Sequence, residues 1–238
     1  MSRRDDLLAE MGLAPVWRLR NSDPRQSGPG SIQELRTDAA GQEAQMPSSR
    51  SERIRRMDWP ELKAAVAGCK ACKLRAGCTQ TVFGTGDEQA DLLLVGEAPG
   101  AEEDRLGEPF VGQAGRLLDN MLAALGMTRG HDVYIANVLK CRPPGNRNPE
   151  PEEVAMCSPH LTRQIELIQP KLILAMGRFA VQTLLGTDAS IASLRGQLHS
   201  YQRVPLVVTY HPAYLLRSLP DKSKAWADLV FARRALVA

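Results

Sequence analysis

Leu92-Leu93-Leu94-Val95-Gly96-Glu97-Ala98-Pro99-Gly100 is the stretch that decides the architecture. Four consecutive apolar residues stop on a glycine and run into a proline-glycine loop. A strand buried on both faces reads as a continuous apolar run, the mark of a parallel sheet with helices on each side. Three similar runs follow, Val133 to Val138, Leu172 to Met176 and Leu206 to Thr209. Helical patterns separate them at Gly115 to Leu125, Pro151 to Ile168 and Phe179 to Leu185, and a last one covers Ala225 to Leu236. This alternation predicts an α/β fold, a single three-layer domain with a four-stranded, mainly parallel sheet flanked by helices. Just upstream, Asp58-Trp59-Pro60-Glu61 carries a capping box and Gly68 a stop, which predicts a short helix between them.

Open sheets of this kind bind ligands outside the carboxyl ends of their strands. The four runs end in Gly96-Glu97-Ala98, in Asn137, in Gly177 and in Tyr210-His211-Pro212. A Gly-rich loop, an amide and an imidazole are therefore expected on one edge. The loop at Gly96 lacks the Gly-Lys-Ser/Thr ending of a phosphate loop, and Glu97, Glu102, Glu103 and Asp104 would repel phosphates. Phe110 stands among Gly107, Pro109, Gly112 and Gly115 and suits a rigid wall on which a flat ligand stacks.

With 238 residues and 43% hydrophobic content the chain can bury one good core, and no apolar run is long enough for a membrane span. Met1-Ser2-Arg3-Arg4-Asp5-Asp6 has neither the apolar stretch of a secretory signal nor the acid-poor composition of a transit peptide, so a cytoplasmic protein without a membrane partner is expected. The net charge of +3 is too small to imply nucleic acid by itself. Local charge says more: Lys140, Arg142 and Arg147 occur without an intervening acid, and Arg217, Lys222 and Lys224 form a second basic stretch.

Residues 21–56 are rich in Ser, Pro, Gly, Gln and charge and read as a flexible linker, leaving residues 57–238 as the folded domain. Ahead of the linker, residues 1–20 hold a short apolar helix from Leu7, a Gly-Pro stop and Trp17, an island suited to docking on a replication or repair protein through residues 7–20. A helix packed on the domain explains the island equally well.

Five cysteines occur, and Cys69-x-x-Cys72 followed by Cys141 and Cys157 has the count and spacing of a four-thiolate metal site. Zinc and iron–sulfur both accept such a set. Zinc sites usually build two tight knuckles and only one pair here is tight, which favours iron–sulfur. Cys157 falls in the first turns of a helix, Cys141 in a loop, and Cys78 is the spare.

Gly96-Glu97-Ala98-Pro99-Gly100, Pro109-Phe110-Val111-Gly112, Asn137 ahead of Lys140-Cys141-Arg142-Pro143-Pro144, and His211-Pro212-Ala213-Tyr214-Leu215-Leu216-Arg217 together resemble the family 4 uracil-DNA glycosylases. The resemblance spans about Cys69 to Leu236. A related branch that traps DNA carries a histidine in an insertion after the third cysteine; no histidine occurs here between His131 and His160. The resemblance implies a monomeric repair enzyme that flips uracil from single- or double-stranded DNA and hydrolyses its N-glycosidic bond, leaving an abasic site, with a nucleoid-associated location. It implies a 4Fe-4S cluster on Cys69, Cys72, Cys141 and Cys157. It implies a pocket of Gly96, Glu97, Ala98, Glu103, Phe110, Asn137 and His211, with Glu97, Asn137 and His211 catalytic, and DNA contacts from Arg142, Arg147, Leu215 and Arg217, Leu215 being the wedge.

Each role fits its chemistry. Phe110 stacks on the flipped base; the Asn137 amide reads O4 and N3–H; backbone amides near Gly96 to Ala98 and the His211 imidazole receive charge on O2. Glu103 lies beside C5, where a thymine methyl would clash. The position two residues after the first motif glycine, a carboxylate in the best-known glycosylase family, is Ala98 here, so Glu97 is the nearest base. Two other readings stand beside this one: a non-enzymatic iron–sulfur DNA-binding or redox-sensing module, and a glycosylase for another deaminated base.

Overall fold

The computed structural model describes residues 49–237. The docking segment expected over residues 1–20, and residues 21–48 of the expected linker, lie outside them. The end of that linker is corrected. Helix α1 (Arg50–Arg56) begins on a Ser49–Glu52 capping box, so regular structure starts ahead of residue 57. Composition hides this helix, because Ile54 is its one buried residue and its hold on the domain is polar. Arg50 donates to the Met156 carbonyl at 2.7 Å and to the Cys69 Sγ at 3.6 Å, and its Nη2 lies 2.9 Å from the His160 Nε2. Helix α2 (Trp59–Ala67) follows with the expected Asp58–Glu61 capping box and ends at Gly68.

Six strands form one sheet: β1 (Thr85–Gly86), β2 (Leu92–Gly96), β3 (Val133–Asn137), β4 (Leu172–Met176), β5 (Leu198–Tyr201) and β6 (Val204–Thr209), in the order β1-β3-β2-β4-β6-β5. The four expected strands are the parallel centre, β3-β2-β4-β6. The expectation of four strands is extended by two antiparallel edges, β1 on β3 and β5 on β6. Both edges escape a search for apolar runs: β1 has only two residues, and β5 alternates exposed and half-buried positions. Around the sheet lie α3 (Ala101–Leu106), α4 (Gln113–Ala124), α5 (Pro151–Ile168), α6 (Arg178–Leu185), α7 (Ile191–Leu194), α8 (Pro212–Leu215) and α9 (Asp221–Val237).

Alternate strand residues face opposite layers, as the period of two requires. Leu93, Val95, Ala136, Ile173, Ala175 and Val208 pack with α5 and α6, and this layer also holds Cys78 and Cys141. Leu92, Leu94, Ile135, Leu174 and Met176 pack with Leu118 and Leu122 of α4, Leu229 of α9 and Phe110. Chain order reverses across β2, with β3 on one side and β4 on the other, so the switch-point crevice opens at the carboxyl ends of these strands.

The loop carrying Phe110 is pinned from three directions. Phe110 has φ +57°, a left-handed conformation that costs a bulky residue energy unless its surroundings enforce it. The Glu103 carboxylate accepts from the Val111 and Gly112 N–H groups at 3.0 and 3.1 Å and from Gly100 N–H at 3.1 Å. Arg129 donates to the carbonyls of Pro109 and Phe110 at 2.7 and 2.8 Å while paired with Asp119. Gly115 lies beneath the same backbone, and a Cβ there would collide with the Phe110 carbonyl. Gly115→Ala should therefore destabilise the fold by about 1–3 kcal/mol and displace the aromatic wall; urea unfolding checks the first effect and a crystal structure of the variant the second.

Candidate active site

A cleft of about 780 Å3 opens where the strands end. Glu97, Ala98, Glu103, Phe110, Asn137 and His211 all line it, so the six side chains expected in one pocket are brought together. Gly96, also expected in the pocket, does not line the cleft but lies buried behind Asn137 and Phe110. A Cβ there would run into the Asn137 Oδ1 and the Phe110 ring, so the absence of a side chain is what leaves room for the two to meet.

Asn137 is the last residue of β3 and only 2% exposed. Its Oδ1 is buried without a hydrogen-bond partner. Such an atom costs roughly 1–3 kcal/mol until something donates to it, so the amide is poised for a donor entering the cleft. His211 starts α8, and its Nδ1 accepts the Ala213 N–H at 3.2 Å. The ring proton therefore sits on Nε2. Burial, with the Arg217 cation nearby, pushes the imidazole down to about 4, so it is neutral at neutral pH and works as an N–H donor. Its ring stacks on Phe110 with centroids 5.3 Å apart. Gly177, at φ +88°, lets β4 turn beside His211, where a Cβ would press on the imidazole stem. Burial raises the Glu97 carboxyl above its ordinary value, and Arg178 partly offsets this. Glu103 lines the cleft, yet its oxygens are engaged by backbone N–H groups; its visible work is to hold the Phe110 loop.

The model of the uracil DNA glycosylase superfamily matches residues 83–230. The chain is 46% identical over 159 residues to the type-4 uracil-DNA glycosylase of Archaeoglobus fulgidus, covering 63% of this chain and 79% of that one. It is 42% identical over 181 residues to the type-4 enzyme of Pyrobaculum aerophilum, with 73% and 92% covered, and 46% identical over 155 residues to that of Thermotoga maritima, with 64% and 80% covered. The chain belongs to the uracil-DNA glycosylase superfamily, in its type-4 branch.

The glycosylase residues expected to meet DNA are arranged unevenly. Leu215, expected as the wedge, is only 1% exposed, because α8 turns it inward. That expectation is corrected: Tyr214 and Leu216, each 39% exposed, are the apolar side chains presented by this loop. Arg147 lines the cleft, but its fork is taken by the buried Glu153 at 2.9 and 2.6 Å and by Glu150 at 3.2 Å. It braces its loop and is not a free cation. Arg142 bonds the Asn146 side chain at 2.7 Å. Arg217 is exposed on the rim. Sequence reasoning missed Arg178, an exposed guanidinium at the start of α6 that lines the cleft and stacks on Phe179 at 4.6 Å; its position directly after the strand-ending Gly177 was the available signal. Arg129 and Lys140 were missed as organisers because their work is done through backbone carbonyls.

Cys69, Cys72, Cys141 and Cys157 line a second, small cavity together with Lys140 and His160. All five cysteines are free thiols. Cys78, the expected spare, is buried in the same packed layer as Cys141, and its Sγ donates to the Arg75 carbonyl at 3.8 Å. Burial pushes the Cys157 thiol up to about 11, while the Lys140 backbone N–H, 3.2 Å from its sulfur, and the Lys140 charge favour the thiolate. Among the described residues no three donor groups are arranged to hold a single metal ion.

The depressed His211 value sets a pH dependence. Between pH 6.5 and about 4 the unfolded chain takes up a proton that the folded imidazole refuses, so stability falls as pH falls through that window. His160, also pushed down to about 4 by burial, adds to the slope. His211→Asn should flatten the dependence without abolishing it, as measured by urea unfolding at pH 7 and pH 5.

Proposed function

We propose that this protein removes uracil from DNA by flipping the nucleotide into the cleft and hydrolysing its N-glycosidic bond, with release of free base and an abasic site. The observation that carries the reading is the unpartnered, buried Asn137 Oδ1 at the end of β3. Uracil offers N3–H to that oxygen and O4 to the amide nitrogen. Cytosine presents an acceptor and a donor in those places and leaves the amide mismatched, a difference of about 1–3 kcal/mol.

Phe110 stacks on the base. As the bond breaks, negative charge gathers on O2, and the neutral His211 donates its Nε2–H there, supported by backbone N–H groups of the loop at Gly96 to Ala98. Preorganised donors of this kind are worth about 2.7–4 kcal/mol each. Water then attacks the electron-poor sugar carbon, and Glu97, with its raised affinity for protons, takes the proton. Since the leaving base departs before water bonds, the base has little to do. Arg217 and Arg178 on the rim receive backbone phosphates, and Leu216 or Tyr214 fills the gap left in the stack. The protein's DNA substrate implies work at the nucleoid in the cytoplasm.

The four-cysteine cavity suits a 4Fe-4S cluster. The support is the spread of four cysteines around one cavity, together with N–H donors aimed at two of the sulfurs, from Arg50 to Cys69 and from Lys140 to Cys157. When bound, the cluster supplies a rigid anionic crosslink and no bond-making chemistry. The chain's own residues then fix the loop at Cys141 and helix α5 at Cys157 behind the cleft.

Labelled oligonucleotides with one uracil, thymine, cytosine or hypoxanthine, cut with alkali after incubation, test the function. Wild type is expected to cut at uracil and Asn137→Ala to lose that activity; cutting at hypoxanthine with none at uracil would reject the assignment. Glu97→Gln should slow excision by less than about a hundredfold, the low end of general-base effects, with the residual rate losing part of its fall at acid pH.

A further inference from the structure

Asp228, Arg195, Tyr210 and Tyr214 form a continuous column beside His211. Asp228, only 1% exposed, accepts from the Thr209 hydroxyl at 2.9 Å and from the Arg195 Nε at 3.0 Å. The Arg195 guanidinium also donates to the Lys224 carbonyl and lies over the Tyr210 ring, 5.9 Å from its centroid. Tyr210 stacks in turn on Tyr214, with centroids 5.2 Å apart and planes inclined by 25°. The Tyr214 hydroxyl donates to the Asp221 carboxylate, which also accepts from the Ser218 hydroxyl and pairs with Lys224. Tyr214 is thus clamped on one face and at its tip, yet it is 39% exposed and lines the cleft. The area it offers is the ring face turned away from Tyr210. A ring fixed before its ligand arrives loses little entropy on binding. His211, Tyr214 and Arg217 follow one another three residues apart, with the Tyr214 N–H donating to the His211 carbonyl and the Arg217 N–H to the Tyr214 carbonyl, each at 2.9 Å. Side chains so spaced are neighbours on one side of a helical turn. An imidazole of the base pocket, an aromatic ring and an exposed guanidinium therefore succeed one another along the rim.

We propose that Tyr214 and Arg217 form a second nucleotide site beside the uracil pocket, in which the base next to the uracil in the same strand stacks on the Tyr214 ring and its phosphate meets Arg217. The inference rests on the glycosylase reading above and extends it from the damaged base to its neighbour. Continuity with the uracil cleft supplies the occupant, because a nucleotide drawn into the pocket brings its covalent neighbour to the rim. The chemistry suits any neighbour: a π-face takes every base without reading its edge, and a guanidinium receives the phosphate that every nucleotide carries. The gap left by the flipped base then falls to Leu216, the other exposed apolar side chain of this loop. Stacking on Tyr214 needs no complementary strand, so the site serves single-stranded DNA as well as duplex.

The test is single-turnover excision, below saturation, by the full-length protein from single-stranded oligonucleotides carrying one uracil, in which the nucleotide on either side is kept or replaced by an abasic tetrahydrofuran. Wild type should slow by roughly fivefold to a hundredfold when the base on one side is removed, the range for one base stacked on an aromatic side chain. Tyr214→Leu should excise from the base-bearing strand at the rate that wild type shows on the tetrahydrofuran strand, and should not slow further when the base is removed. Tyr214→Phe keeps the ring and should retain the dependence on the neighbour. Arg217→Gln should lower the salt dependence of strand binding by about one phosphate contact; an unchanged salt dependence overturns that contact. Wild type indifferent to both replacements overturns the stacking site, and so does a Tyr214→Leu protein that still discriminates. A loss in Tyr214→Leu confined to duplex substrates would make the ring a gap-filling wedge and would also overturn it. Should Tyr214→Leu fail to fold, the wild-type comparison alone decides. Wild type that excises uracil from no strand at all would reject the underlying reading, whereas excision that ignores the neighbouring base rejects this inference only.

Discussion

The register between β2 and β3 is the constraint from which the site follows. Leu92 pairs with Val133 and the ladder runs without a slip to Gly96 opposite Asn137. It continues past the strands, with the Val138 and Leu139 N–H groups donating to the carbonyls of Gly96 and Glu97 at 3.0 Å each. The Gly96 loop, the Asn137 amide and the start of the cysteine-bearing segment are therefore locked side by side by backbone hydrogen bonds. A slip of one residue would turn Asn137 to the opposite face of the sheet. The apolar residues that fill both faces make such a slip prohibitive, so the core sets the geometry of the chemistry.

Much of this was legible in the chain. The four central strands are continuous apolar runs because both their faces are covered, and helix α5 begins at Pro151 as expected. The pocket residues were legible too: Glu97, Ala98, Asn137 and His211 stand at or just after strand ends, and Phe110 stands in a Gly- and Pro-rich loop. What escaped the sequence has a common cause. Helix α1 is held by Arg50 through polar contacts to distant residues, and no local pattern announces these. Edge strands β1 and β5 are too short or too exposed to form apolar runs. Leu215 carries the right residue type in the right motif, yet the turn of α8 decides which of three neighbours faces out. Arg147 looked like a free cation until its partner Glu153, six residues later, was seen beneath it.

The cations divide by depth into two jobs. Arg129, Lys140 and Arg147 spend their hydrogen bonds on carbonyls, a side-chain amide and carboxylates of the protein, and so shape loops. Arg178 and Arg217 stand at the rim with their guanidinium groups open to solvent. A net charge of +3 conceals this arrangement, because the field that an approaching polyanion meets depends on where unpaired cations sit more than on their total.

Phe110, Asn137 and His211 form their pocket in advance, and its oxygen acceptor stays unsatisfied while the pocket is empty. Any small planar molecule with the hydrogen-bonding edge of uracil, the released base included, relieves that deficit on entering and so binds the native chain in preference to the unfolded one. Under the proposed function, the same feature makes the free base a stabiliser of the fold and a competitor for the site, and turnover depends on how quickly the product leaves.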